Sequence, residues 1–419
     1  MNHLHWRTRR IGDVSINIID GDRSAKYPKR DEFQDEGVLF LNTTNIIDDR
    51  LDLTAANFIS EEKYSTISKG RIQPLDIIMT TRGSVGKVAL YNRQDKGLIN
   101  AQMLILRADG ESIDPRFLFH LVRSEEFQRK LKNFASGSAQ PQIPITDLRA
   151  VTICYPDIGV QREIASILSA YDDLIENNTR RIRVLEQMAQ MLYREWFVNF
   201  RFPGYEKVKM VESESGQIPR GWIGSTLGDL CDDVRRSVNP SDLPAETPYI
   251  GLEHMPRKCV ALSEWGQSGQ VQSTKLRFNR GDILFGKIRP YFHKVGIAPV
   301  NGVCSSDAIV IVPKEAKYSS VVLLCVSSDD FVHQATQTSQ GTKMPRANWG
   351  VLARYPIALP GTHLLDRFND IVNPMIQLLN NLLFRNRCLR KTRDLLLPKL
   401  VSGEISVQQI ESEAAAQTV

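Results

Sequence analysis

An internal duplication constrains this chain more than any other feature of its sequence. The segment GSAQPQ at residues 137–142 aligns with GTKMPR at residues 341–346, a shift of 341 − 137 = 204 positions. Farther upstream the shift is 277 − 71 = 206 positions, as insertions in surface loops would cause. The 204-residue shift also holds downstream, where seven residues fall on like residues: Leu174, Ile175, Asn177, Arg181, Arg183, Leu185 and Leu192 on Leu378, Leu379, Asn381, Arg385, Arg387, Leu389 and Leu396. We therefore predict two copies of one fold.

Each copy has two parts of different texture. Residues 1–157 and 205–360 contain short runs of β-branched and aromatic residues between Gly, Pro and Asn, which is typical of strands joined by turns. In residues 158–204 and 361–405 the apolar residues recur at helical spacing instead. The sequence predicts an α+β protein with two mostly β domains separated by two long helices, and a flexible tail at 406–419.

The apolar residues of both helices recur at alternating spacings of four and three, the pattern of a coiled-coil seam. The first seam comprises Ile164, Leu168, Tyr171, Ile175, Asn178, Ile182, Leu185, Ala189, Leu192 and Trp196. The second comprises Phe368, Val372, Met375, Leu379, Leu382, Asn386, Leu389 and Leu396. Because a seam needs a partner, we predict that the two helices pair antiparallel and place the β domains at opposite ends. Arg393 interrupts the second seam, and Pro374 is expected to kink that helix or to mark its beginning.

Each seam contains one asparagine, Asn178 in the first helix and Asn386 in the second. Position 386 corresponds to 386 − 204 = 182 in the first copy, so an antiparallel pair symmetric about position 180 brings the two asparagines opposite each other. A buried asparagine pair costs stability but specifies register, because a slipped pairing leaves both amides against Leu or Ile. The alternative is that each amide points to solvent at a local break in its seam.

Common catalytic and cofactor-binding motifs are absent from the sequence. The segment from Gly281 to Lys287 has the spacing of a phosphate-binding loop, but Ile288 follows where Ser or Thr is required. The seven histidines form no zinc-binding pair, the six cysteines form no C-x-x-C pair, and we find no dinucleotide-binding or methyltransferase motif. Nor is there a stretch of about 20 apolar residues that could span a membrane. We expect no metal or cofactor site in this chain.

Basic and amide residues concentrate in corresponding loops of the two β domains. They are Arg82, Lys87, Gln140 and Gln142 in the first domain and Lys287, Arg289, Lys343 and Arg346 in the second. Such side chains carry the hydrogen-bonding groups that read guanine and adenine in the major groove. The formal net charge of +5 is mild for 419 residues, so DNA contacts have to come from local clusters of this kind. The alternative for each residue is a solvated loop side chain.

This layout resembles the specificity subunits of type I restriction-modification systems over essentially the whole chain. The β domains open with IGD at 11–13 after Trp6 and with LGD at 227–229 after Trp222, and they end with TICYP at 152–156 and PIALP at 356–360. The helical segment QREIASIL at 161–168 and the ending RDLLLPKLVSGEI at 393–405 are the most specific signals.

The resemblance implies a division of roles within a larger complex. Each β domain would be a target recognition domain that reads one part of a split, asymmetric sequence in double-stranded DNA. The helices would set the spacing and bind two DNA-methyltransferase subunits, and restriction and translocase subunits would join for cleavage. The chain itself would be non-catalytic and cytoplasmic, with S-adenosylmethionine, ATP and Mg²⁺ bound by the partner subunits.

Some helix residues outside the seams are candidates for binding the methyltransferase. They are Leu174, Met188, Tyr193 and Phe197. The alternative for these side chains is packing against the β domains. Two other functions stay open at this point: a structural coiled-coil scaffold without base-specific readout, and a self-contained nuclease.

Overall fold

The computed structural model describes residues 6–134, 142–213 and 216–407. The chain divides into two compact units. The first unit is Met1–Asp173 with Leu389–Val419, and the second unit is Leu174–Cys388. Both boundaries fall inside the long helices, so each unit consists of one β domain and a part of each helix.

The β domain of the first unit is built from short strands and short helices. Its strands are β1 (Arg7–Arg10), β2 (Ile16–Asp20), β3 (Val38–Leu41), β4 (Ile46–Ile47), β5 (Arg50–Leu51), β6 (Asn57–Ile59), β7 (Arg71–Ile72), β8 (Ile77–Thr80), β9 (Val88–Leu90), β10 (Gly97–Ile99), β11 (Met103–Ala108) and β12 (Thr152–Tyr155). Its helices are α1 (Glu61–Thr66), α2 (Pro115–Arg123), α3 (Glu125–Phe134) and α4 (Ile145–Ala150). Two four-stranded sheets form, in the orders β6-β3-β10-β7 and β2-β11-β8-β9, and β1 pairs antiparallel with β12.

The sheet that contains β11 separates two cores of the first unit. Leu104 and Leu106 point into a core that also holds helix α2, whereas Met103 and Ile105 point into a second core. Successive side chains of a strand alternate between the two faces of its sheet, so a continuous apolar run is needed where both faces are covered. This explains the run of four buried residues in β11.

The long helix α5 (Ile158–Tyr193) leads into the β domain of the second unit and ends in a π-helical turn over Arg194–Val198. The strands that follow are β13 (Met210–Ser213), β14 (Gly216–Pro219), β15 (Ile223–Thr226), β16 (Cys231–Asp233), β17 (Arg236–Val238), β18 (Pro248–Ile250), β19 (Gly266–Gln267), β20 (Lys275–Phe278), β21 (Ile283–Gly286), β22 (Val295–Ile297), β23 (Gly302–Cys304), β24 (Ala308–Pro313) and β25 (Pro356–Leu359). The helices are α6 (Leu227–Leu230), α7 (Ser319–Val326), α8 (Asp329–Gln337), α9 (Trp349–Leu352) and α10 (Thr362–Ser402).

The duplication in the sequence is present as a repeated topology. The sheet β16-β24-β21-β22 has the strand order of β2-β11-β8-β9, and β15 pairs with β25 as β1 pairs with β12. The only parallel strand pairs in the described parts of the two units, β3 with β10 and β18 with β23, also correspond. The predicted fold class, two pseudo-repeated β domains with two long helices, is confirmed.

The two long helices pair antiparallel in each unit. In the second unit Phe197, near the end of the α5 segment, lies 4.8 Å in ring-centroid distance from Phe368, near the start of α10. In the first unit Leu168 of α5 shares a core with Leu397 of α10. Helix α10 begins at Thr362 and continues through Pro374, so this proline does not mark the beginning of the helix. No helix in the described ranges is long and apolar enough to cross a membrane.

The predicted tail at 406–419 is described only at its first two residues. Val407 is buried in the core of the first unit, which shows that ordered packing extends to that position. The other twelve residues of that segment lie outside the described ranges.

Candidate DNA interface and helix pair

The two candidate DNA-contacting loops of the first unit meet at a short β-bridge. Arg82 is paired with Gln142, and the backbone N–H of Ile143 donates to the carbonyl of Thr81 at 3.0 Å. Lys87 closes the turn that begins at Arg82, and both Lys87 and Gln142 are exposed. The structure therefore brings together three of the four residues proposed for this domain. The fourth, Gln140, lies outside the described residues.

The second unit repeats this arrangement with different side chains. Ile288 is bridged to Arg346, and the N–H of Ala347 donates to the carbonyl of Lys287 at 2.9 Å. Since 288 − 82 = 206 and 346 − 142 = 204, these are the same contacts in the second copy. All four cations proposed for this domain lie in the two bridged loops. A further contact joins the loops, since the Arg289 side chain donates to the carbonyl of Lys343 at 3.4 Å.

The cations of the second unit differ in how accessible they are to a polyanion. Lys343 and Arg346 are exposed, whereas Lys287 and Arg289 are half-buried. The carboxylate nearest to Arg346 is that of Asp307, at 3.9 Å. Because both side chains are exposed, this ion pair is weak and leaves Arg346 free to contact DNA. Exposed Arg and Lys side chains on adjacent loops can contact phosphates or base edges, and this is the chemistry that the two loops offer.

Asn178 and Asn386 are hydrogen-bonded to each other in the helix pair of the second unit. Asn178 Nδ2 donates to Asn386 Oδ1 at 2.9 Å, and both residues are buried. Asn386 Nδ2 donates in turn to Thr179 Oγ1 at 3.2 Å and to the carbonyl of Ile175 at 3.4 Å. Neither amide points to solvent, so the geometry required by the register hypothesis is present.

Replacing both asparagines, as Asn178→Leu with Asn386→Leu, is expected to raise stability and to allow more than one helix register. Leucine removes two buried amides, but it also removes the pairing that a slipped register cannot satisfy. Spin labels at the exposed positions Val184 and Leu378 would give one narrow distance distribution in the parent chain and a broadened one in the double variant.

The control for the asparagine pair is Asn177→Leu, which changes an exposed neighbour on the same helix and should leave the distance distribution narrow. A double variant that is more stable than the parent chain, yet retains a single narrow distribution, would contradict the register hypothesis. The single variant Asn178→Leu should cost about 1–3 kcal/mol, because it leaves the Asn386 amide buried with fewer partners.

A buried charge cluster explains why Arg393 interrupts the second seam. In the first unit Arg393 Nη1 lies 2.6 Å from one carboxylate oxygen of Asp172, and Arg123 Nη1 lies 2.9 Å from the other. The side chain of Arg123 is only 4% exposed, and that of Arg393 is 12% exposed. Burial lowers the pKa of Arg123 and lowers that of the adjacent His120 well below its usual value, so His120 is neutral here. Sequence reasoning missed this cluster, although the break at Arg393 marked its position.

Glu186 attaches a loop of the second β domain to α5. Its Oε1 atom accepts hydrogen bonds from the backbone N–H groups of Val260 at 2.8 Å and Ala261 at 3.0 Å. The thiol of Cys259 donates to the same oxygen at 3.2 Å. Burial raises the pKa of Glu186, and these hydrogen bonds oppose the increase. The contact fixes the position of the 259–261 loop on the helix.

The proposed methyltransferase-binding residues divide into two groups. Leu174 and Met188 are each 43% exposed and stay predictions. Tyr193 and Phe197 are buried in the core of the second unit, where their rings stack with centroids 5.4 Å apart. For these two the structure corrects the prediction in favour of the alternative, intramolecular packing, because their surfaces are already covered by the unit itself.

Helix α5 and the π-helical turn that follows it carry an exposed apolar stripe, of which sequence reasoning proposed only Met188. The stripe consists of Val184, Met188, Met191 and Val198, each between 43% and 61% exposed. These residues lie at the helical spacings of four, three and seven, so their periodicity could have been recognised in the sequence beside that of the seam.

In the described residues, no three His, Cys, Asp or Glu side chains cluster in a way that could hold a metal ion.

Each of the two β domains presents a bridged pair of cationic loops. The protein therefore has two candidate DNA surfaces, which occupy equivalent positions but carry different side chains. Residues 4–187 match the family described as type I restriction modification DNA specificity domain. The C-terminal part of a putative type I specificity protein from Mycoplasma pneumoniae is 30% identical over 150 residues, which are 35% of this chain and 94% of that sequence. The MjaIX specificity subunit of Methanocaldococcus jannaschii is 27% identical over 350 residues, or 80% of this chain and 78% of that one.

The fold is also that of a solved structure. The crystal structure of a type I restriction-modification system S subunit from M. genitalium matches 96% of this chain and 97% of that chain, with a TM-score of 0.57 at 15% sequence identity. The fold match and the sequence matches therefore point to the same class of protein. The chain belongs to the specificity subunits of type I restriction-modification systems.

Proposed function

We propose that this specificity subunit reads a split, asymmetric sequence in double-stranded DNA, one part with each β domain. The observation that carries the proposal is the equivalence of the two loop pairs. The bridge between Arg82 and Gln142 in the first unit corresponds to the bridge between Ile288 and Arg346 in the second. Equivalent scaffolds with different side chains can read different bases, which makes the complete target asymmetric.

The helices hold the two reading surfaces within one chain and offer surface for partners. Two DNA-methyltransferase subunits would bind along them, with Leu174 and the apolar stripe of α5 as the contact surface. Exposed apolar side chains in a row are a signature of a protein interface. Restriction and translocase subunits would join this complex for cleavage.

The chemistry of the complex would belong to the partner subunits. S-adenosylmethionine is the methyl donor of the methyltransferase, and ATP and Mg²⁺ serve the restriction and translocase subunits. The present chain would contribute DNA sequence choice and no catalytic residue of its own.

Base-resolution mapping of adenine methylation tests this function. Cells that express the chain with its cognate methyltransferase should methylate a two-part motif with a fixed gap. The purified chain alone, incubated with DNA and Mg²⁺, should leave the DNA uncut. Cutting by the chain alone would mean that it is a nuclease, and an active complex without a motif would mean that the chain is a scaffold.

A further inference from the structure

The cationic loop of the second unit adopts a conformation that its residues disfavour. The loop between β21 and β22 has Arg289 at φ +49° and His293 at φ +51°, both in the left-handed region. The equivalent loop between β8 and β9 in the first unit has glycines at its two left-handed positions, Gly83 and Gly86. Left-handed backbone costs free energy for any residue with a Cβ atom, and such positions cluster at functional sites. The second copy therefore keeps side chains where glycine would relieve strain.

The strained loop is anchored to the rest of the unit by three contacts. The Arg289 N–H donates to the carbonyl of Pro345 at 2.7 Å, and a ring nitrogen of His293, Nε2, lies 2.9 Å from the carbonyl of Ser327. The guanidinium of Arg257 lies 4.2 Å from the centroid of the Phe292 ring. Both ends and the middle of the loop are therefore attached to neighbouring parts of the unit.

The tip of this loop is Tyr291. The second loop has three residues between its left-handed positions, whereas the first has only Ser84 and Val85. Val85 packs against the core of its unit, but Tyr291 is 52% exposed. The longer loop thus leaves an aromatic residue half-exposed, with its ring edge-on to Phe292 at a centroid distance of 4.9 Å.

The surroundings of Tyr291 indicate what the ring could contact. It belongs to the same bridged loops as Lys287, Arg289, Lys343 and Arg346, whose charges suit a nucleic acid. Thymine is the base that presents an apolar group, its 5-methyl, in the major groove. A half-exposed aromatic ring on a loop that also carries Lys287 and Arg289 could therefore make an apolar base contact while the cations contact the DNA backbone.

We propose that Tyr291 is a specificity-determining residue of the second β domain, and that its ring contacts the 5-methyl group of a thymine in the half-site read by this domain. The inference rests on the proposed function, since it assigns one base position to one side chain. It predicts that the half-site contains a thymine whose recognition depends on Tyr291 alone.

Methylation mapping with three variants tests the contact. In the complex with the methyltransferase, Tyr291→Ala should accept other bases at one thymine position of one half-site, whereas Tyr291→Phe should keep the parent motif. The matched control is Tyr205→Ala, which removes an exposed tyrosine of the same unit outside the loops and should change nothing. An unchanged motif for Tyr291→Ala, or a change that affects both half-sites, would overturn the proposal.

Deoxyuridine in place of the thymine removes only the methyl group and gives a second, independent readout. The parent complex should methylate the deoxyuridine target about fivefold more slowly, the lower range for one base contact. The Tyr291→Ala complex should show no further loss on the same target. If the Tyr291→Ala complex does not assemble, the deoxyuridine experiment on the parent complex still tests the proposal. A parent complex whose methylation rate is unchanged by the loss of any thymine methyl group in that half-site would overturn it. A parent complex without any two-part motif would instead refute the proposed function itself.

Discussion

Replacing Asp172 with alanine is expected to lower the free energy of unfolding of the first unit by about 3–5 kcal/mol, the range for breaking a buried ion pair by removing one partner. Asp172 bridges Arg123 and Arg393 at 2.9 and 2.6 Å, and both guanidinium groups are largely buried. Without the carboxylate, Arg123 would lose its ion-pair partner in the interior, and Arg393 would keep only Asp394, whose carboxylate lies 2.8 Å from its Nη2 atom. Urea unfolding followed by circular dichroism measures the loss.

The matched control for Asp172 is Asp173→Ala, which removes an exposed carboxylate from the next position of the same helix. It should change the unfolding free energy by about 0.5 kcal/mol or less. The double variant Asp172→Ala with Arg393→Ala should lose less stability than the sum of the two single losses, because the partners share one interaction. Additive losses, or a loss for Asp172→Ala no larger than the control, would show that the cluster does not stabilise the helix pair.

Replacing Lys287, Lys343 and Arg346 together with alanine is expected to weaken DNA binding about 100-fold at physiological salt, if each contact contributes about 1 kcal/mol or more. The dependence of log affinity on log salt concentration should flatten by about two to three units, since each lost phosphate contact releases one counterion fewer. Fluorescence anisotropy of the assembled methyltransferase complex on labelled duplex, repeated at several salt concentrations, measures both quantities.

The control for this charge variant has the same change in net charge. It replaces Lys207, Lys209 and Arg220, three exposed cations of the same unit outside the two bridged loops. The salt slope should then stay near that of the parent complex. Equal slopes for both triple variants would mean that net charge, and not the bridged loops, governs DNA binding.

The duplication made much of this fold predictable from the sequence. The constant shift of 204 positions aligns the seams of the two helices. It thereby predicted that Asn178 and Asn386 lie opposite each other in an antiparallel helix pair. It also placed the candidate loops at equivalent positions, and the bridges at Gln142 and Arg346 follow the same shift. A repeat restricts both the helix register and the strand topology, whereas local secondary-structure propensity restricts neither.

Other features depend on packing that the sequence does not display. Phe197 turns inward within a π-helical turn, which a periodicity of 3.6 does not anticipate, and Tyr193 lies on a stripe wider than the strict seam. The partner of Arg393 is another long-range feature, since Asp172 is 221 positions away in the chain. The left-handed backbone at Arg289 and His293 is opposed to local preference, so only the structure reveals it.

The most direct test of the account exchanges residues 1–157 for the corresponding domain of another specificity subunit and maps adenine methylation in cells that contain the methyltransferase. One half of the two-part motif should change to the half-site of the donor domain, while the other half and the gap stay the same. A chimera that assembles an active complex but leaves both halves unchanged, or alters both, would contradict the assignment of one half-site to each β domain.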